Sequence, residues 1–257
     1  MLTDTHCHLY YEDLKNDLLG VLSRANELGV TRFICVGTNI SDSRECLSIS
    51  ENNNNIFASV GIHPHDAKDV NDGYIEDIYE LMEFGSMIAV GEIGLDYFRN
   101  ISDPDIQKKV FRNQMEVAQE LNRPVIFHNR DADEDVIEVL SDYPEVNGVA
   151  HCFSSNLNTA QSFLDMGYYI SFSGNLTFKN SHLPEVAKEI PIGRVLVETD
   201  SPYLSPEPHR GKPNEPGRTR FVAEKLAEIK IFPLKKLLNT QQKMLLSFFD
   251  YLSSSRS

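Results

Sequence analysis

The chain has 257 residues, 41% of them hydrophobic and 24% charged, with a formal net charge of −14. That length can bury a large core, and no apolar run approaches the roughly 18 residues that span a membrane. The charge argues against a protein that coats nucleic acid with a basic face, though not against an enzyme that meets a phosphate through bound metal, because divalent ions can reverse the local electrostatics of a site.

Along the chain a short β-branched apolar run, a loop and an amphipathic helix recur. Leu2–His8 is the first expected strand. A helix over Glu12–Leu28 follows, with Leu14, Leu18, Leu19 and Leu22 at helical spacing and Gly29 as its C-terminal stop. Arg32–Val36 is the second strand, with a helix near Asp42–Glu51. Ile56–Ile62 is the third, with a helix around Tyr74–Glu83. Met87–Ile93 is the fourth, with a helix near Asp105–Leu121. Pro124–His128 is the fifth, with a helix around Asp133–Ser141. Gly148–His151 is the sixth, with a helix near Leu157–Met166. Tyr168–Ser171 is the seventh, with a helix around Leu183–Ile190. Arg194–Glu198 is the eighth, and helices near Arg218–Ile229 and Pro233–Tyr251 close the chain.

Eight strand-then-helix units in this length match an α/β fold of the (β/α)8 TIM-barrel type. The strands read as continuous apolar runs, as strands buried on both faces do. No linker or low-complexity stretch divides residues 1–257, so a single domain is expected. A doubly wound open sheet is the alternative, but no GxGxxG follows an early strand. Cys7, Cys35, Cys46 and Cys152 form no CxxC pair, which suits a reducing compartment rather than a disulfide framework. The start, Met-Leu-Thr-Asp-Thr, lacks the charged and apolar stretches of a signal peptide. A cytoplasmic protein is the expectation.

Polar residues gather at the strand ends. In a strand, His6 and His8 share a face, with Cys7 on the other, and neutral imidazole is the commonest protein ligand for a transition metal. Alone, His-x-His also fits two ordinary partly buried histidines. His63 and His65 follow the third strand, Glu92 the fourth, His128 the fifth and His151 the sixth. Glu198 and Asp200 follow the eighth. In a barrel these ends converge on one rim, where active sites lie. Ionisable groups clustered behind buried strands are costly unless something compensates them, and metal ions do so directly.

In this order, Thr-His-Cys-His-Leu, Val-Gly-Ile-His-Pro-His, Gly-Glu-Ile-Gly-Leu-Asp-Tyr, Phe-His-Asn-Arg-Asp-Ala, His-Cys-Phe, Glu-Thr-Asp-Ser-Pro-Tyr-Leu and His209-Arg210-Gly211-Lys212-Pro213-Asn214-Glu215-Pro216 resemble the TatD-type metal-dependent hydrolases. These are similar to the amidohydrolase-type metal barrels, and characterised members act as deoxyribonucleases. The resemblance implies two divalent cations: His6, His8 and Asp200 on one, His128 and His151 on the other, and Glu92 bridging both. The family more often has Ser or Thr where Asn129 stands and Gly where Ser155 stands. Both departures lie on the rim and bear on substrate preference rather than chemistry.

Two divalent ions can activate a water for attack on phosphorus. Asp200 is expected as general base and Glu92 as the electrostatic bridge. His63, Arg130, Arg210 and Glu198 are the expected substrate contacts, because guanidinium pairs with phosphate bidentately. Lys212 is equally a phosphate contact or a solvated charge. His65 stays ambiguous, and Tyr97 and Phe98 either stack on a base or pack the rim. A nitrogen-rich ligand set favours zinc, manganese, iron or nickel over magnesium. The favoured reading is a 3′-5′ exonuclease-like deoxyribonuclease acting on DNA ends or short single strands, with no membrane or obligate protein partner. Two alternatives are a hydrolase of small phosphoester, ester or amide substrates, which the acidic charge suits, and a non-catalytic binding barrel.

Overall fold

The computed structural model describes residues 1–248. Eight strands form one parallel sheet in sequence order: β1 (Leu2–Cys7), β2 (Val30–Val36), β3 (Ile56–Val60), β4 (Met87–Asp96), β5 (Val125–Arg130), β6 (Gly148–Ala150), β7 (Tyr169–Phe172) and β8 (Val195–Val197). The chain just past β8 closes the ring onto β1. Asp200 N donates to the His6 carbonyl at 2.9 Å, and His8 N donates to the Ser201 carbonyl at 2.8 Å. The expected (β/α)8 TIM barrel is therefore the fold.

Helices α1 (Glu12–Lys15), α2 (Leu18–Glu27), α3 (Ile40–Glu51), α4 (Tyr74–Met82), α5 (Pro104–Glu120), α6 (Asp133–Ser141), α7 (Leu157–Asp165), α8 (Leu183–Glu189), α9 (Thr219–Ile229) and α10 (Leu234–Phe248) lie outside or at the ends of the barrel. Their apolar faces and the outward faces of the strands make the large core layer, which includes Phe33, Ile78, Phe111, Phe127 and Phe163. A smaller cluster fills the barrel: Ile34, Val36, Phe57, Ile88, Ile126, Val149 and Leu196, joined by Met244 and Leu245 of α10. Helix α10 also packs on the turn Ile192–Arg194 that leads into β8, so it plugs the amino-terminal end and leaves the other rim free for chemistry.

Most boundaries fall within two residues of expectation; three differ more. The single helix expected over Glu12–Leu28 is two, broken at Asp17, whose backbone is not helical. Leu14, Leu18 and Leu22 keep one apolar face across the break because both pieces pack on the same core, whereas Leu19 is 81% exposed. Strand β4 runs to Asp96 rather than stopping at Ile93. The helix expected to reach Tyr251 is described to Phe248, and Tyr251 lies outside the described residues.

Candidate metal centre

Strand alternation puts Asp4, His6 and His8 on one face of β1 and its end, while the Cys7 thiol faces away and donates to the Ile34 carbonyl at 3.3 Å. Strand β4 supplies Glu92 and, four residues on, Asp96 on the same face. Gly94 between them has φ +121°, and a Cβ there would lie 2.1 Å from the His128 carbonyl oxygen. Only glycine lets β4 run that close to β5 at the level of the site. Asp200 adopts φ +56° just after β8, a left-handed conformation that turns its carboxylate onto the rim.

Glu92 occupies the middle. Its Oε2 lies 3.3 Å from His6 Nε2 and 3.9 Å from His8 Nε2. Its Oε1 lies 2.8 Å from His151 Nε2, 3.3 Å from His63 Nε2 and 3.4 Å from His128 Nδ1. Asp200 Oδ1 completes the first group, 3.4 Å from His8 Nε2 and 3.8 Å from His6 Nε2. One carboxylate thus turns each of its oxygens to a different set of imidazoles.

Hydrogen bonds fix which nitrogen each ring presents. His8 Nδ1–H donates to the Val36 carbonyl at 2.8 Å, so Nε2 faces Glu92 and Asp200. His151 Nδ1 lies 3.3 Å from Glu198 Oε1, which also accepts from Cys152 N at 2.8 Å; again Nε2 is turned to Glu92. His63 differs. Its Nδ1 accepts from the His65 backbone N–H at 3.1 Å, so its proton sits on Nε2 and points to Glu92. His63 is therefore arranged as a hydrogen-bond donor rather than as a ligand, despite standing in the same cluster.

The charges are mutually supporting. Burial works toward neutral Glu92, but the imidazoles of His151 and His63 outweigh it and hold the carboxyl well below its ordinary range. Asp200 is likewise held low against burial by His8, His6 and His151. Burial opposes a charge on His8, yet Asp200 and Glu92 raise it to about 9. His128 and His151 also rise against burial, under Asp96 and Glu92 for the first and Glu92 and Glu198 for the second. Burial alone dominates His63 and lowers it to about 4. Burial, followed by the charge of His151, lowers His6.

This arrangement fits a metal ion. His6 is fully buried, and neither ring nitrogen makes a hydrogen bond of good geometry, although Nε2 is close to Glu92. An imidazole left so is costly to bury. Ligand atoms of His6, His8 and Glu92 and of His6, His151 and Asp200 each gather within 4.8 Å, and His128 and Glu92 gather likewise around the donor His63. The carboxylates draw protons onto His8, His128 and His151, and a divalent cation supplies the same positive charge once those protons leave.

Not every residue expected to touch substrate lies where a substrate can reach. Glu198 is fully buried beneath His151, so its expected substrate contact is corrected to a bond that orients His151. Arg210 is exposed and sits over the Phe178 ring at 4.1 Å. It lies outside the lining of the cleft. Lys212 is also exposed and off the cleft walls. The cleft above the centre has a volume of about 680 Å³ and is lined by His8, His63, His65, Glu92, His128, His151, Asp200 and Arg130. Arg99, Tyr11 and Tyr203, which sequence reasoning passed over, line it as well. The Arg130 guanidinium lies 3.8 Å over the exposed Phe98 ring, whereas Tyr97 packs the rim and donates its hydroxyl to Asp135 at 2.6 Å. Asn129 and Ser155, the two departures from the family pattern, touch each other at 3.3 Å and both donate to Asp133.

Two further carboxylates were missed. Asp96, almost wholly buried, meets His65 Nε2 at 3.0 Å and His128 Nε2 at 3.1 Å. Asp4, below His6, accepts from Thr199 N at 2.8 Å and Thr199 Oγ1 at 2.5 Å, and burial raises its pKa well above the ordinary value. The signal was present in the period-two spacing of Asp4 with His6 and of Glu92 with Asp96.

Comparison with known proteins agrees with this geometry. The family model described as TatD related DNase matches residues 3–250. Over 233 residues the chain is 44% identical to a Bacillus subtilis protein named as the uncharacterized metal-dependent hydrolase YabD, covering 90% of this chain and 91% of that one. It is 32% identical over 233 residues to an Escherichia fergusonii protein named 3′-5′ ssDNA/RNA exonuclease TatD, covering 88% and 90%. Among solved structures, the TatD homolog YjjV from Escherichia coli superposes with a TM-score of 0.92 at 28% identity, covering 97% of this chain and 98% of the other. A rim of clustered histidines and carboxylates on a (β/α)8 barrel and a family match across nearly the whole chain lead to one conclusion: the chain belongs to the TatD-related family of metal-dependent hydrolases.

Proposed function

We propose that this hydrolase is a phosphodiesterase that removes nucleotides from the ends of single-stranded DNA in the 3′-5′ direction. The observation that carries the reading is the division of Glu92, with Oε2 turned to His6 and His8 and Oε1 turned to His128 and His151. On this reading His6, His8 and Asp200 hold one divalent ion, His128 and His151 a second, and Glu92 both. The nitrogen-rich set suits zinc, manganese, iron or nickel better than magnesium. When bound, such a pair activates a water and polarises a phosphoryl oxygen.

The chain's own residues do the rest. Asp200, ionised at neutral pH and the most exposed of the carboxylates here, accepts the proton of the attacking water. Glu92 stays charged and fixes the spacing of the two histidine groups. His63, neutral at pH 7 and lining the cleft, holds its Nε2–H on Glu92 and can turn that bond to the phosphate or the leaving oxygen when substrate enters. Arg130, steadied by Phe98, and Arg99 bind flanking phosphates. With a net charge of −14 the chain attracts a duplex poorly at long range, which favours ends and short strands held by local contacts. The free thiols suit a reducing cytoplasm, and no helix among the described residues is long and apolar enough to cross a membrane.

The test is a panel of linear and circular single-stranded DNA alongside small phosphoesters, carboxyl esters and amides. Shortening of linear strands with circles spared supports the proposal. Cleavage confined to small esters or amides replaces it with the small-molecule reading that the acidic charge also suits.

A further inference from the structure

We propose that Asp96 is a positioning residue that sets the tautomer of His128, so that this ring turns Nδ1 rather than Nε2 toward the metal centre. The inference rests on reading His128 as a ligand. Asp96 is almost wholly buried and every part of it is engaged. Its Oδ1 accepts from the Arg99 backbone N–H at 2.7 Å. Its own N–H donates to Gln107 Oε1 at 2.9 Å, and its carbonyl accepts from Gln107 Nε2 at 3.2 Å. Its Oδ2 then meets two imidazoles at once, His65 Nε2 at 3.0 Å and His128 Nε2 at 3.1 Å.

An ionised carboxylate can only accept hydrogen bonds. Both histidines must therefore carry a proton on Nε2. For His128 this leaves the lone pair on Nδ1, which lies 3.4 Å from Glu92 Oε1 and 3.4 Å from His151 Nε2. The neighbouring ring is set the opposite way. His151 gives Nδ1 to Glu198 and turns Nε2 inward. Two adjacent rings on one side of Glu92 thus present different nitrogens, each fixed by its own buried carboxylate. Such outer partners commonly govern ligand orientation and basicity. Strand β4 supplies both Glu92 and, four residues on, the carboxylate that orients His128, so one strand sets the bridge and the ring beside it.

Asp96→Asn keeps the shape but offers an amide N–H to the two rings. A ring that accepts it moves its proton to Nδ1 and loses the inward lone pair. The variant is dialysed against zinc and its metal counted. Wild type is expected to hold two ions per chain. Asp96→Asn is expected to hold about one, or to bind the second about 10- to 100-fold more weakly, matching His128→Ala. His65→Ala, which leaves the Asp96–His128 contact intact, should keep both ions. A readout that needs no variant is the long-range proton–nitrogen spectrum of 15N-histidine in metal-free wild type, under alkaline conditions where His128 is neutral. A proton on Nε2 is expected; a proton on Nδ1 overturns the proposal even if Asp96→Asn fails to fold. Two ions at unchanged affinity in Asp96→Asn also overturn it, and leave the reading of His128 as a ligand standing. Fewer than two ions in wild type overturn it together with the two-ion reading.

Discussion

Asp200→Asn removes one charge from the rim and almost no volume. Of the carboxylates at the centre, Asp200 alone has appreciable side-chain exposure, 15% against 4% for Glu92 and 1% for Asp96 and Glu198. It is thus the one a cleft water can reach. Its carboxyl is held below the ordinary range by His8, His6 and His151 against the effect of burial, so it is an available acceptor throughout the neutral range. A positioned general base contributes about 100- to 10,000-fold, or about 3–5 kcal/mol of transition-state stabilisation. The amide oxygen can still face His8 and His6 at the present 3.4 and 3.8 Å, so metal should remain when supplied in excess. The assay is kcat on a single-stranded oligonucleotide, with metal content counted in the same sample. A loss of about 100-fold or more with both ions retained is expected. A kcat within about tenfold of wild type with full metal refutes Asp200 as the base.

Replacing His6 with Ala removes a buried ring whose nitrogens make no hydrogen bond; loss of one ion per chain is expected by elemental analysis, and unchanged metal content contradicts that assignment. Because His8 is raised to about 9 in the metal-free protein, it carries a proton at neutral pH that metal uptake must expel. For the ion at His6, His8 and Asp200, zinc affinity should rise about tenfold per pH unit below that value and level off above it, read by chelator competition, and a flat profile contradicts it. The same shift makes His8 stabilise the metal-free fold fully below its ordinary value, a contribution lost as pH rises through about 9. Gly94→Ala forces a Cβ to 2.1 Å from the His128 carbonyl at φ +121°. A loss of about 3 kcal/mol is expected, or roughly 6–12 °C in melting temperature; a drop under about 2 °C contradicts the close approach.

Much of the barrel was legible because parallel strands buried on both faces must be apolar throughout, and such runs as Ile56–Val60 admit few other readings. The gathering of polar side chains at the rim was legible for the same reason: His6, Glu92, His128 and His151 each break an apolar run near its carboxyl end. Asp96 was missed because the fourth strand was expected to stop at Ile93, just before Gly94. Glycine there instead permits a close crossing, and β4 continues past it. Glu198 was misjudged because an acid at a strand end shows its charge but not its direction, and this one turns inward to His151. Arg210 depended on a contact with Phe178, far off in sequence, which no local pattern encodes. The break between α1 and α2 hid because both helices bury the same side.

Metal-dependent release of nucleotides from a DNA end can be followed directly. The direct measurement is the time course of shortening of a 5′-labelled single strand by protein loaded in turn with zinc, manganese, iron, nickel or magnesium, then treated with a chelator. A ladder that shortens from the 3′ end with at least one of these ions and stops on chelation is expected. No release with any of them, from protein shown to hold its metal, contradicts it.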